Sequence, residues 1–216
     1  MRIAHLSSMT GYYGGEVLLA SLATGMRERG HEVWAIARPR SALAERLAAC
    51  GVPVRTQRLV DWYEPLGMLR LAAWLRRKGI EILHTHLPRD YFTAAVATLG
   101  TGIANVGSRH QLRPLSHAPL KRPFLRGFAA MLPVSEAARA GFLASGLLPS
   151  ARVTTVPNGI AMPARPADRG TMRAALGVEP GRPVVGFVGS IGPHKGLDTL
   201  LAVGARLRAR YPDLCV

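Results

Sequence analysis

A glycine-rich turn late in the chain has the residue types of a phosphate site. Residues 189–196 lie between an apolar stretch at 184–188 and a segment whose apolar residues recur at helical spacing. Such a turn leaves backbone N–H groups open at the positive end of a helix dipole, where phosphate binds readily. Lys195 adds a full positive charge at the start of that helix. The alternative is a strand–helix turn that needs glycine only for its shape.

Two histidines flank Thr85 at the end of an apolar strand pattern. Because side chains alternate along a strand, His84 and His86 lie on the same face, and a shared metal ion is geometrically possible. No third ligand is apparent in the sequence. Hydrogen-bonded interior histidines are therefore the favoured interpretation of this pair.

A third histidine, His110, directly follows the strand pattern at 103–109. A histidine at the carboxyl end of a strand is well placed for hydrogen bonding or acid–base chemistry. Arg109 beside it is a weaker candidate for a phosphate contact.

The loop after the first strand carries Gly14 and Gly15 immediately before a helical pattern. In an open parallel sheet, ligands bind at the carboxyl ends of the strands, where such loops lie. The loop lacks the G-x-G-x-x-G pattern, which disfavours an NAD site. A flexible turn is the alternative interpretation.

Two further polar residues lie where local structure already explains them. Ser135 precedes a helical pattern and suits its N-cap. Asn158 lies in a Pro-Asn-Gly sequence that is typical of a turn.

The elements that position these residues alternate between strand and helix. Ser41 is expected to cap the second helix, Gly30 and Gly51 to end the first two, and the helix after Gly196 to bury one face. Strands are predicted at 2–6, 31–38, 52–58, 80–86, 103–109, 129–134, 152–156 and 184–188, with helical patterns between them. This alternation predicts an α/β fold, a Rossmann-like parallel sheet with helices on both faces. The stretch 163–183, rich in Pro, Arg and Gly, is expected to link a domain at 1–162 to a second domain that begins at 184.

The chain is strongly basic, with 28 Lys plus Arg against 13 Asp plus Glu and a formal charge of +15. Such a surface attracts nucleic acid, anionic lipid and phosphorylated substrates. No helix-turn-helix, zinc-finger or aromatic RNA-binding signature is present, so no nucleic-acid partner is expected. Residues 111–126 interleave basic and large apolar residues, which suits contact with an anionic membrane surface; a solvated loop is the alternative.

Compartment signals in the sequence are few. The two cysteines, Cys50 and Cys215, are far apart, which fits a reduced cytoplasmic protein and excludes a disulfide framework. The N-terminal MRIAHLSS resembles a first strand more than a signal peptide. No apolar run approaches the roughly 18 residues of a membrane-spanning helix.

Six landmarks in order resemble those of the retaining glycosyltransferases of family 4. They are GGEVLLASLATGMRERGHEV, EILHTH, VGSRHQ, VSEAAR, VPNGI and the Gly-x5-Lys-Gly turn. The resemblance implies a glycosyltransferase B-type (GT-B) fold with two Rossmann-like domains. It also implies transfer of a hexose-like sugar, with retention of configuration, from a nucleotide-diphosphate sugar to a polysaccharide, lipopolysaccharide or glycolipid acceptor. The expected location is the cytoplasm, peripheral on the inner face of the membrane.

The resemblance also implies roles for residues. His110 is expected to be catalytic, near the transferring sugar. Donor phosphate contacts are expected from Gly14, Gly15, Gly189, Ser190, Lys195 and Gly196, where Ser190 replaces the arginine usual in the family. Acceptor-side residues are expected to be Glu16, His86, Arg109, Ser135 and Asn158. No metal or cofactor is expected, because helix N-termini and Lys195 would neutralise the leaving diphosphate.

One family element is not found before Val216: the Glu-x7-Glu motif that holds the donor sugar and ribose. We therefore expect the second domain, 184–216, to be incomplete and this chain alone to transfer no sugar. Two other classes stay open. One is a nucleotide-sugar epimerase of the same architecture, which would convert the donor without an acceptor. The other is a non-catalytic basic module that binds membrane or nucleic acid.

Overall fold

A computed structural model describes residues 1–58, 64–115, 119–160, 162, 168–189, 191–192 and 195–216. The chain divides into two compact units, Met1–Ile160 and Ala161–Val216. The predicted linker at 163–183 falls within the second unit. Its boundaries, and those of the two predicted domains, stay predictions.

The first unit is built on a sheet of six parallel strands. They are β1 (Arg2–Ser7), β2 (Glu32–Ala37), β3 (Val54–Thr56), β4 (Ile82–Thr85), β5 (Ala104–Arg109) and β6 (Ala130–Pro133). Their order across the sheet is β3-β2-β1-β4-β5-β6, and every pair of neighbours is parallel. The chain therefore winds outward in both directions from the β1–β4 pair.

Helices cover both faces of this sheet. They are α1 (Gly14–Glu28), α2 (Ala42–Ala49), α3 (Pro65–Arg77), α4 (Tyr91–Thr98), α5 (Arg122–Leu125) and α6 (Glu136–Leu143). The cluster that holds the buried residues of α1 and α2 includes Ala35, whereas the cluster of α3 and α4 includes Ile36. Because adjacent residues of a strand point to opposite faces, α1 and α2 lie on one face and α3 and α4 on the other. The predicted α/β fold is confirmed.

Short-range signals set the helix ends as the sequence predicts. The Ser41 hydroxyl caps α2, accepting from the Ala44 N–H at 3.2 Å and donating to the Arg38 carbonyl at 2.8 Å. Gly30 and Gly51, just past the ends of α1 and α2, have φ of 81° and 72°. A left-handed conformation there is the usual C-terminal stop of a helix.

The strand predicted at 152–156 is wrong in extent, because only Val153 forms a bridge, with Met131 of β6. The Thr154 and Val156 N–H groups do donate to the carbonyls of Met131 and Pro133, at 3.0 and 2.8 Å. A parallel ladder alternates donors between its strands, and Pro133 has no N–H to donate in return. The pairing therefore stops after one bridge.

In the second unit, the described residues form two helices, α7 (Arg169–Ala175) and α8 (Leu197–Arg208). The strand predicted at 184–188 is wrong: Val184 forms a single bridge with Cys215, and Val188 is fully exposed. The buried face predicted for α8 is also wrong, because Leu201 and Val203 are 55% and 45% exposed. Because the described residues of this unit form one β-bridge and no sheet, the apolar face of α8 has no sheet to pack against.

Within the described ranges of both units, no helix combines the length and the apolar character needed to cross a membrane.

Candidate active site

The strand order places a crevice at the carboxyl end of the β1–β4 pair. The chain leaves β1 towards β2 and leaves β4 towards β5, so the loops that follow these two strands diverge. In open parallel sheets such a switch point is the usual ligand site. The loop before α1 and the 3₁₀ turn Pro88–Asp90 flank it.

Hydrogen bonds hold these two loops together. The Asp90 carboxylate accepts from the Ser8 N–H at 2.7 Å, and the Arg89 Nε donates to the Ser8 hydroxyl at 2.6 Å. Ser8 and Asp90 are buried, whereas Arg89 is exposed and brings a cation to the switch point. None of the three was predicted. The sequence feature that could have indicated them is the polar pair Arg89-Asp90, which comes shortly after the strand β4.

The start of α1 leaves open space beside its glycines. A Cβ added to Gly14 or Gly15 would meet no atom within 4 Å, and neither residue has a positive φ. The fold therefore requires glycine at neither position. The Glu16 N–H donates to the Tyr13 carbonyl at 3.0 Å, and the N–H groups of Gly14 and Gly15 before it lie at the positive end of the helix dipole.

Glu16, predicted on the acceptor side, is buried and its carboxylate caps the helix. It accepts from the Tyr13 N–H at 3.1 Å, across the first turn of α1. An acidic residue in the first turn is also favoured by the helix dipole. The structure thus gives Glu16 a structural role, and its contact with an acceptor stays a prediction.

Three histidines meet on one face of the β1–β4 pair. His5 is paired in register with His84, and His86 follows two residues later on the same face. The ring nitrogens His5 Nδ1 and His86 Nε2 lie 3.0 Å apart, and His84 Nε2 lies 2.8 Å from the Ser108 hydroxyl. No third ligand for His84 and His86 was apparent in the sequence, and the structure brings one candidate, His5, beside them. The favoured interpretation, buried histidines with hydrogen bonds, agrees with the structure. Sequence reasoning missed His5 because only the strand pairing brings it there.

Burial keeps these histidines neutral near pH 7. It lowers the pKa of His84 to about 4, with a further contribution from the charge of His110. Burial, and next the charge of His84, also holds the pKa values of His5 and His86 well below the usual range. The rings therefore offer lone pairs and N–H groups rather than positive charge.

His110, the predicted catalytic residue, borders this cluster. Burial lowers its pKa, and its charge would act on both His84 and His86. Its Nε2 is buried and has no hydrogen-bond partner. The charge of His110 acts on His86, and each of these histidines keeps a buried ring nitrogen without a hydrogen-bond partner. The catalytic role of His110 and the acceptor-side role of His86 stay predictions.

Arg109 lies apart from the histidines although it is their neighbour in sequence. Because side chains alternate along β5, it points to the face opposite Ser108, where it is buried beside Tyr91. Its Nη2 donates to the Arg113 carbonyl, which ties down the segment after β5, and Tyr91 donates its hydroxyl proton to the Ser108 carbonyl. Burial lowers the pKa of Arg109. An acceptor contact of Arg109 stays a prediction.

The remaining predicted residues of the first unit lie at or beyond the end of β6. The Ser135 hydroxyl caps α6, accepting from the Ala138 N–H at 3.1 Å, as expected of an N-cap. Asn158 is exposed in the segment after Val156. Neither contacts the histidine cluster in any described hydrogen bond, and their acceptor-side roles stay predictions.

In the second unit, the predicted phosphate turn leads into α8. Gly196 is the N-cap of α8, with φ of 70° and open space at its Cβ position, and Lys195 is exposed beside it. Gly189 precedes the turn, and Ser190 lies outside the described residues. The helix start is thus unobstructed, as a phosphate site requires.

Solved structures with the same fold are glycosyltransferases and related enzymes. A protein from Anabaena, Alr3699/HepE in complex with UDP and glucose, matches with a TM-score of 0.76 and 18% identity over 99% of this chain and 59% of its own. Sucrose-phosphate synthase from Thermosynechococcus elongatus matches with a TM-score of 0.70 and 14% identity, over 96% of this chain and 60% of its own. The fold is that of the GT-B class.

The sequence comparisons identify the family. The model of Glycosyltransferase Family 4 matches residues 12–162, and the chain belongs to that family. A relative from Actinosynnema mirum, D-inositol 3-phosphate glycosyltransferase, is 28% identical over 95% of this chain. The enzyme of that name from Nocardia farcinica is 45% identical over 62 residues. The chain spans 57% of the first relative's length, and the 62-residue match covers 14% of the second relative's length.

Proposed function

We propose that the chain serves in the transfer of a sugar from a nucleotide-diphosphate sugar to a saccharide or lipid-linked acceptor, with retention of configuration. The observation that carries the proposal is the set of unoccupied donors and acceptors at one sheet edge. The start of α1 has open space at Gly14 and Gly15, and His86 and His110 each have a ring nitrogen without a hydrogen-bond partner. The family match and the UDP complexes of the Anabaena protein support it.

The start of α1 would receive phosphate oxygens of the donor. Backbone N–H groups at a helix start bind anions without side-chain help, and missing Cβ atoms allow a close approach. Arg89, exposed at the same edge, would add a cation for a phosphate of the donor or the acceptor. In the second unit, Lys195 and the start of α8 would bind the pyrophosphate. With these charges in place, the leaving diphosphate would need no metal ion.

His110 would act as a neutral ring beside the reacting sugar. Because burial lowers its pKa, it would donate or accept a hydrogen bond to a sugar hydroxyl without adding a charge. His86 would border the acceptor in the same way.

The test is a transfer assay on the product of the complete coding sequence, beside this chain, which alone is expected to transfer no sugar. Nucleotide sugars and saccharide or lipid acceptors are supplied, transfer is read by mass spectrometry, and product anomers are assigned by NMR. His110→Ala is expected to remove transfer without loss of stability. The matched control is His31→Ala, which alters a histidine between α1 and β2. Unchanged transfer by His110→Ala, or no binding of any nucleotide sugar by the wild type, would contradict the proposal. Conversion of the donor without an acceptor would instead identify an epimerase.

We also propose peripheral membrane contact through residues 111–126. Leu112 and Leu120 are 62% and 86% exposed, among the basic residues Arg113, Arg122 and Arg126. Exposed apolar side chains flanked by cations suit an anionic bilayer surface. Phosphatidylglycerol vesicles should cosediment with the wild type and less with Leu120→Ser. Leu69→Ser, at a leucine of α3 that is 65% exposed, is the matched control and should bind normally. Equal binding by both variants would reject this surface.

A further inference from the structure

We propose that His5, His84 and His86 bind one divalent transition-metal ion, with Zn²⁺ the best match. One ligating atom from each of the three residues lies within 4.8 Å of the others. All three side chains are buried, at 0%, 5% and 4% exposure. Imidazole nitrogens are preferred ligands of Zn²⁺, and three protein ligands are a common set for it.

The strand register builds this cluster and holds it in place. His5 and His84 occupy paired positions on β1 and β4, which hydrogen-bond along their lengths. His86 follows on the same face, and its N–H donates to the Leu6 carbonyl at 3.1 Å. Two of the ligands thus project from central strands, and the third lies one residue past the end of β4, where a backbone hydrogen bond holds it to β1. Sites on such elements hold their geometry more closely than sites on loops.

The hydrogen bonding of the cluster is incomplete without a ligand. A neutral imidazole has one N–H, and His5 Nδ1 and His86 Nε2 share one hydrogen bond at 3.0 Å. If His5 donates, the N–H of His86 lies on Nδ1; if His86 donates, the N–H of His5 lies on Nε2. Both of those atoms are buried and have no partner. Either arrangement therefore leaves one buried N–H and one buried lone pair without a partner.

A metal ion would take one nitrogen lone pair from each ring. At His5 and His86, two metal–nitrogen bonds would replace the single hydrogen bond between the rings, and each ring would carry its N–H on the nitrogen that does not ligate. Ser108 already lies 2.8 Å from His84 Nε2, the kind of outer partner that fixes the orientation of a ligating ring. Because no carboxylate belongs to the cluster, the open fourth position would suit hydroxide or an anionic oxygen.

This inference does not rest on the proposed transferase function. The metal would bind the three histidines and have no part in neutralising the diphosphate, which helix N-termini and Lys195 would do. A protein that transfers no sugar could still bind the ion, and a protein that binds no ion could still transfer sugar.

The test is metal binding by the untagged 216-residue chain after treatment with a chelator. Equilibrium dialysis against Zn²⁺, with metal measured by mass spectrometry, should give one ion per chain, and Co²⁺ should give the absorption of a tetrahedral site. Ser108→Ala should weaken binding about 10- to 100-fold, as loss of an outer partner does. His5→Ala should weaken it more, because a ligand is lost. His31→Ala is the matched control and should bind as the wild type does.

Folding of each variant is checked by circular dichroism, and the wild-type measurement stands without any variant. Zn²⁺ should also raise the thermal midpoint of the wild type, and the rise should grow with the logarithm of the free Zn²⁺ concentration once that exceeds the dissociation constant. A wild-type chain that retains no Zn²⁺ overturns the proposal. Binding that His31→Ala removes, or that a folded His5→Ala chain retains in full, also overturns it.

Discussion

Replacing Gly141 by alanine tests whether the structure or helix propensity decides stability in α6. Gly141 lies within the helix, where glycine costs about 1 kcal/mol relative to alanine. Propensity alone therefore predicts a more stable protein. However, a Cβ at Gly141 would overlap the carbonyl oxygen of Leu112 and lie 2.7 Å from its carbonyl carbon. These are backbone atoms, so no side-chain rotation can relieve the overlap.

The expected result is a net loss of about 1–2 kcal/mol in the free energy of unfolding. Overpacking a filled site costs about 1–3 kcal/mol, and the rigid carbonyl places this site in the upper part of that range. The gain of about 1 kcal/mol in propensity offsets only part of the cost. The segment that carries Leu112 is also tied down by the bond from Arg109 to the Arg113 carbonyl, so it cannot move without losing that bond.

Gly25→Ala is the matched control, because Gly25 lies within α1. The added Cβ would meet only the end of the exposed Arg29 side chain, at 3.3 Å, which can move away. This variant should gain about 0.5–1 kcal/mol. Urea unfolding followed by tryptophan fluorescence suits both variants, since all three tryptophans belong to the first unit.

Hydrogen exchange provides a second measurement on the same variants. The peptide that covers residues 110–115 should exchange faster in Gly141→Ala and at the wild-type rate in Gly25→Ala. If Gly141→Ala gains stability as the control does, with unchanged exchange, the close packing of α6 against this segment is refuted.

Four other substitutions test the helix caps and the candidate site separately. Ser41→Ala should lower the free energy of unfolding by about 1–2 kcal/mol and Ser135→Ala by about 1 kcal/mol, because Ser41 is buried and makes two hydrogen bonds. Urea unfolding measures both losses, and equal losses would contradict the effect of burial. Gly15→Ala should leave stability unchanged or up to about 1 kcal/mol higher while weakening nucleotide-sugar binding in calorimetry; unchanged binding would place the ligand elsewhere. Arg89→Gln should weaken transfer to a phosphate-bearing acceptor more than transfer to a neutral one, and an equal effect on both would count against a phosphate contact.

The fold could be predicted because its signals are local. Each strand and helix is indicated by a pattern within a few consecutive residues. Gly30 and Gly51 have the left-handed conformation that ends a helix. The order of the strands then follows from the handedness of the connections, with little freedom left. The same locality explains why the caps at Ser41 and Ser135 were found from the sequence.

The failed predictions concern pairing, which is not local. Residues 152–156 have the composition of a strand, yet Pro133 on the neighbouring strand ends the ladder after Val153. Residues 184–188 also have that composition, and in the described structure their pairing is limited to Val184. In both cases the hydrophobic pattern is real, and the missing factor is a partner with free donors and acceptors.

The candidate site shows the same difference between local patterns, which the sequence reveals, and strand pairing, which it does not. His84 and His86 could be placed on one face from spacing alone, but His5 lies about eighty residues earlier and gives no signal until β1 is set beside β4 in register. The bonds from Arg89 and Asp90 to Ser8 depend on the same strand pair. Sequence reasoning therefore found the half of the site that lies on single elements and missed the half that the β1–β4 pairing creates.

Glycines show why a pattern without a structure cannot assign a role. Gly15 and Gly141 both lie in helices, where glycine is unfavourable. At Gly141 the structure supplies a reason inside the protein, since a backbone carbonyl occupies the space of a side chain. At Gly15 none of the described residues fills that space, so packing does not explain the glycine. The proposed donor phosphate would explain it, because the start of a helix favours an anion and a missing Cβ allows a close approach.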